Sequence, residues 1–238
     1  NFLAVPHAFL LSGVYLGAFG MVCISLLTMF CCVTLVRVRK QLANSGLRST
    51  TYGDVALTVL GPRGYATVQA AVIFTQFGYC VGYLIFVLAS LHSLAPSLSR
   101  AEIVVMISPM LMGLLCIRNL ANLAIFSAAA NVALAIAFTL IVSDDVDQLA
   151  QGGFNLLTEV EWARLPVFFG VMVAAYEGIG TVLPIEGSMG ARSHEFPLLL
   201  GAALTLMTVL YIFFGVIGVG SYGAHICSVI LDNLQPGP

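Results

Sequence analysis

Long apolar runs, each close to the length that crosses a bilayer, alternate with short polar stretches along this chain. A spanning helix needs about 20 mostly apolar residues at about 1.5 Å rise each. By that ruler the pattern predicts a short first helix at 2–12 and spans at about 14–36, 68–91, 101–117, 120–142, 165–183 and 197–220. Backbone groups in lipid must pair within a segment, and no alternating strand pattern argues for a barrel. The fold class predicted is therefore all-α and integral to a membrane, with 1–238 as a single transmembrane domain. The polar, Gly-rich stretch 41–67 is too long for a tight turn. Within it Val55, Leu57, Val59 and Leu60 suggest an amphipathic helix lying at the interface around 52–60.

Composition sharpens the class. Apolar residues make up 60% of the chain and charged residues 8%, against about 25% charged in a soluble domain. A net charge of −2 and the lack of a long basic run point away from nucleic acid. The six cysteines fall mostly in apolar runs, without CxxC or Cys/His metal spacing, so no metal site and no organic cofactor is expected. No HExxH, no GxSxG and no paired membrane carboxylates are present to do enzyme chemistry. The chain opens on Asn1 without a charged leader and is expected to be a piece of a longer protein.

The few charges set an orientation. Arg37, Arg39, Lys40, Arg48, Arg63, Arg118 and Arg192 all fall on one face if every segment crosses, leaving only Arg100 and Arg164 opposite. The opposite face carries Asp144, Asp145, Asp147, Glu159 and Glu161 in one expected loop. By the positive-inside rule the basic loops are cytosolic.

Two places read as interrupted helices: Leu3-Ala4-Val5-Pro6-His7-Ala8-Phe9, and the run from Ala174 through Tyr176, Glu177, Gly178, Ile179 and Gly180 to Pro184. Pro removes a backbone donor and clashes one turn back, and Gly disfavours a helix interior. A kink or a close helix crossing would account for both. So would a transporter built from inverted repeats, in which one helix of each half breaks near the midplane and its freed amides and carbonyls grip a zwitterion. The breaks lie in the first and sixth segments, the offset of a five-plus-five repeat. On that reading Ala4, Val5, Tyr176, Gly178, Ile179 and Gly180 hold the substrate. Glu177, the one acid expected deep in a span, should face the bundle interior and carry a proton, or else cap the broken helix. His7, beside the first break, is a second proton candidate or a packed spacer. Gln69, Gln76 and Tyr83 share a face of the third segment with Tyr79 close by, and either line a site or act as packing glue; so do Ser127 and Asn131. Glu186, with Arg118, is a candidate cytosolic gate or an ordinary interface charge.

These residues resemble the amino acid/auxin permease family, nearest to its proton-coupled and vacuolar amino acid transporters. The resemblance rests on Phe168-Phe169-Gly170, Ala175-Tyr176-Glu177-Gly178-Ile179-Gly180, Leu183-Pro184-Ile185-Glu186 and Ser188-Met189. It extends to Val5-Pro6-His7-Ala8-Phe9, to Tyr52-Gly53-Asp54, to the third-segment run from Gln76 to Val87, and to Ile117-Arg118-Asn119-Leu120 with Ser127 and Ala130-Asn131. It implies a LeuT-like, inverted-repeat fold of the APC superfamily, of which this chain would hold about seven of eleven helices. It further implies symport of small neutral amino acids, coupled to H+ or to Na+. A non-transporting amino-acid sensor of the same fold is the alternative, and a seven-helix receptor fits the broken sixth segment poorly. The membrane expected is vacuolar, lysosomal or plasma, and the absence of any Asn-x-Ser/Thr acceptor weighs slightly against a glycosylated cell-surface protein.

Overall fold

The computed structural model describes residues 2–46, 51–115, 120–152, 154, 159–227 and 230; its regular secondary structure is all helical, with no strand among these residues. The helices are α1 (Val5–Ser12), α2 (Val14–Asn44), α3 (Tyr52–Leu94), α4 (Arg100–Leu115), α5 (Leu120–Gly152), α6 (Leu165–Ala175), α7 (Ile179–Ser188) and α8 (Phe196–Tyr222). Five stretches among the described residues are long and apolar enough to cross a membrane: Val14–Asn44, Tyr52–Ser93, Ala128–Ala150, Trp162–Ser188 and Phe196–His225. The chain is thus a multi-pass integral membrane protein. It divides into two compact units, one of residues 1–55 and 136–238, the other of 56–135.

In the first unit α1 is the hub, packed against α2, α6 and α8. Its buried side chains, Val5, Pro6, Ala8, Phe9, Leu11 and Ser12, point all round the helix, as expected of a segment enclosed by other helices. A single turn of 3-10 helix, Phe2–Ala4, leads into it, with Pro6 in the first turn where no amide donor is needed. Gly13, at φ 70°, makes the corner between α1 and α2, a left-handed conformation that glycine adopts without a Cβ penalty. Two glycines of α8 let α1 come close. A Cβ on Gly215 would lie 2.6 Å from Phe9 Cδ2, and one on Gly218 would lie 2.8 Å from Pro6 Cβ. Small residues at such crossings allow the backbone approach that replaces a hydrophobic drive in lipid. Phe2 stacks on Phe214 with centroids 4.2 Å apart and tilts against Phe138 at 5.4 Å, which ties the latter half of α5 to α8. A second core joins Cys32, Leu35 and Val36 of α2 to Val55, to Val182 and Leu183 of α7, and to Phe196.

In the second unit the rest of α3 is interrupted at Gly61 (φ 73°, ψ −171°), just before Pro62. Reciprocal capping boxes open α3 and α4. The Thr51 amide donates to Asp54 Oδ2 (2.9 Å) and the Asp54 amide to Thr51 Oγ1 (3.1 Å). The Ser99 amide donates to Glu102 Oε2 (2.7 Å) and the Glu102 amide to Ser99 Oγ (3.3 Å). Asp54 of the Tyr52-Gly53-Asp54 motif is therefore a helix cap.

Two expectations are corrected. Asp144, Asp145 and Asp147 lie in α5, which runs ten residues beyond the expected end at 142, and not in a loop. The apolar run ends at Val142, but Gln148, Leu149 and Ala150 are good helix formers and carry the helix past the point where hydropathy falls. The span expected at 165–183 is two helices, as its glycines and Pro184 had suggested. The helix expected around 52–60 is present as the first part of α3.

Candidate functional site

The break between α6 and α7 comprises Tyr176, Glu177 and Gly178. Its chemistry follows from its sequence. Pro166 sits in the first turn of α6, and Pro184 in the interior of α7 removes the amide that the Gly180 carbonyl would otherwise accept. The start of α7 has no side-chain cap. The first amides of a helix find no partner within it, so those of Ile179 and Gly180 face the gap. The Thr181 amide (3.0 Å) and hydroxyl (2.8 Å) both donate to the Gly178 carbonyl. On the α6 side the Tyr176 amide donates to the Val173 carbonyl at 3.2 Å, and the Tyr211 hydroxyl approaches the Ala175 carbonyl at 3.4 Å. The gap thus offers positive backbone dipole from one half-helix and negative from the other.

Tyr176 is buried, and its hydroxyl is anchored away from the gap. It lies 2.7 Å from Thr208 Oγ1, which is in turn 2.9 Å from Ser25 Oγ and 2.6 Å from the Leu204 carbonyl. Three elements, the break, α8 and α2, meet at this hydroxyl cluster. Sequence reasoning missed Thr208 and Ser25, because isolated hydroxyls in apolar helices commonly bond their own backbone.

A cavity of about 300 Å³ opens beside the break, between α2, α7 and α8, at the small end of the roughly 300–1,000 Å³ typical of ligand pockets. Tyr176, Glu177, Gly178, Ile179 and Thr181 line one side. The other walls are mainly apolar, formed by Val182, Ile185, Met189, Phe196, Leu199, Leu200, Leu204 and Met207, with Thr28 and Cys32 from α2. Gly180, on the first turn of α7, is exposed.

The expected site residues are therefore only partly gathered. Tyr176, Gly178 and Ile179 border the cavity, with Gly180 in the same turn of α7. Glu177 does too, but it is exposed where an inward side chain was expected, because Tyr176 beside it takes the inward position. Val5 is fully buried in the core of the first unit and Ala4 partly so, and neither lines the cavity. His7 is half-buried within electrostatic reach of Arg164 and Glu161. These two pair at 3.2 Å just before α6, and the Glu161 amide donates to the Leu11 carbonyl at 3.0 Å. His7 and Glu177 thus stand at opposite ends of α6. Gln76 and Tyr83 are exposed on α3 in the second unit.

Glu186 is 2% exposed and ion-paired, with partners that the sequence did not suggest. The guanidinium of Arg39 donates to Glu186 Oε2 and also to the Leu183 carbonyl at 3.2 Å. Lys40 Nζ lies 3.4 Å from Glu186 Oε1 and donates to the Ser193 carbonyl at 3.1 Å. The end of α2 is thereby tied to α7 and to the turn after it. Arg118, the partner expected for Glu186, lies outside the described residues.

The family profile described as "Transmembrane amino acid transporter protein" matches residues 2–237. Among similar curated proteins, Amino acid transporter AVT3A of Arabidopsis thaliana is 34% identical over 99% of this chain and 57% of its own length. Amino acid transporter ANT1 of the same plant is 30% identical over 98% of this chain and 55% of its own length. Vacuolar amino acid transporter 3 of Schizosaccharomyces pombe is 23% identical over 98% of this chain and 35% of its own length. The chain spans little more than half the length of the two plant relatives. No solved structure matches it.

Proposed function

Because the chain belongs to the family of transmembrane amino acid transporter proteins, we propose that it is the substrate-holding part of a secondary transporter for small neutral amino acids. The observation that carries this reading is the α6–α7 break beside a small, mainly apolar cavity. The uncapped amides of Ile179 and Gly180 suit the carboxylate. The carbonyl end of α6 suits the ammonium group, and the apolar wall suits an uncharged side chain. No basic side chain lines the cavity among the described residues, which favours a neutral substrate over an acidic one.

The finer assignments form one scheme. The fold is LeuT-like, with Ala4 and Val5 supplying backbone from the first helix. Glu177, exposed in the gap, takes the coupling proton during symport, and His7 assists at the other end of α6. Glu186, held by Arg39 and Lys40, closes the cytosolic side. The relatives' names speak of transport and, in the yeast, of the vacuole. We accordingly place the protein in the vacuolar membrane and regard it as a transporter and not an enzyme.

Uptake of labelled neutral amino acids by the full-length protein in proteoliposomes, with and without an imposed pH gradient, tests this reading. Accumulation that follows the pH gradient and is lost in Glu177→Gln is expected. Specific binding without accumulation, under proton and sodium gradients alike, would make the protein a sensor.

A further inference from the structure

Asp145 lies in α5 just beyond Val142, where the apolar run ends, and it takes no part in the scheme above. Its side chain is fully buried, and neither carboxylate oxygen has a hydrogen-bond partner among the described residues. The groups around it are occupied elsewhere. Ser221 Oγ donates to the main-chain carbonyl of Asp145 at 2.8 Å, and the Tyr222 hydroxyl donates to Asp144 Oδ2 at 2.5 Å. Both donors belong to the last two residues of α8. The later part of α5 and the end of α8 are therefore pinned together beside a buried carboxyl group that no hydrogen-bond donor reaches among the described residues. Ile141, one turn earlier on the same face of α5, is also buried.

A carboxylate cannot stay ionised in such a place. Among the described residues it has neither a hydrogen-bond donor nor an ion-pair partner, and a buried charge without them is neutralised instead. Among the described residues the charged group beside it on its own helix is Asp144. From α8 the titratable group facing it is Tyr222. Asp147 further along α5 and His225 in the turn after α8 are both exposed. A metal ion is a poor alternative occupant, since it needs several oxygens around it. The nearby hydroxyls are already turned to other acceptors, and no cluster of three His, Cys, Asp or Glu side chains occurs among the described residues.

We propose that Asp145 is a proton-binding site, and that proton uptake there closes the end of α5 onto the end of α8. Loss of the proton leaves a buried carboxylate, and drawing α5 away from Ser221 and Tyr222 lets water reach it. By the charge distribution this junction is on the face away from the cytosol, where a proton-driven transporter of an acidic compartment would take its signal. The inference rests on the transport reading for its purpose, whereas the protonation itself does not require transport.

The test is infrared difference spectroscopy of the full-length protein in lipid nanodiscs across a pH titration, paired with the distance between spin labels at the exposed positions Val146 and Ala224. Expected is a protonated-carboxyl carbonyl band at acid pH that disappears on raising the pH, while the label distance lengthens. Asp145→Asn, a neutral isostere, should lack the band and hold the short distance at every pH, and Asp145→Leu should do the same. Glu177→Gln should keep the band. A wild-type band unaffected by replacing Asp145, or a distance unchanged through the titration, would overturn the proposal. Uptake is not read here, so a protein that never transports can still pass, and a transporting protein can still fail.

Discussion

The hydroxyl of Thr208 carries more of the break than its size suggests. It lies within hydrogen-bonding distance of Tyr176, Ser25 and the Leu204 carbonyl, yet it has one proton to give. Tyr176 must therefore donate to it, while it donates to Ser25 or to its own helix. Thr208→Val keeps the shape and strands the buried Tyr176 hydroxyl, which should cost about 1–3 kcal/mol. Tyr176→Phe leaves Thr208 its backbone acceptor and should cost only about 0.5–1.5 kcal/mol. Thermal unfolding of the two variants in the same detergent checks the order; a costlier Tyr176→Phe would mean the cluster is not centred on Thr208. The sequence marked Tyr176 because it stands among glycines. It could not mark Thr208 or Ser25, since a lone hydroxyl in an apolar run has the same pattern whether it bonds its own helix or another.

At the scale of elements, the crossing of α1 and α8 is set by what is absent from Gly215. Adding one methyl group there puts carbon 2.6 Å from the buried Phe9 ring, and overpacking of this kind costs about 1–3 kcal/mol. Gly215→Ala should destabilise by that much, and adding Phe9→Leu should recover part of it. A double-mutant cycle by thermal unfolding reads the coupling, and strictly additive effects would show that the two residues do not meet. Which runs form helices was legible from the apolar pattern, and so was the gap at Tyr176–Gly178, because Gly and Pro act locally. The ends of α2 and α5 were less legible. Hydropathy marks where lipid ends, and both helices continue beyond that, α2 to Asn44 and α5 to Gly152. The first expected break was legible only as a start: α1 opens at Val5 with Pro6 in its first turn and runs unbroken to Ser12.

Across the whole molecule, the sequence showed the sign of a charge but not its partner. Glu186 was recognisable as an acid near the basic face. Its pairing with Arg39, 147 positions away, depends on α7 folding back against the end of α2, which no local pattern encodes. The same holds for Asp145, which is fully buried although its neighbours in sequence are polar. The account as a whole turns on one place, the gap between α6 and α7, where a neutral amino acid is proposed to sit. Thr181 is exposed and lines the cavity there. The most direct test is the alkylation rate of Thr181→Cys, in full-length protein otherwise stripped of cysteine, including the six of this chain, with and without a saturating neutral amino acid. The account predicts that the amino acid slows alkylation several-fold, while an acidic one does not. An unchanged rate in protein that still takes up the amino acid would contradict it.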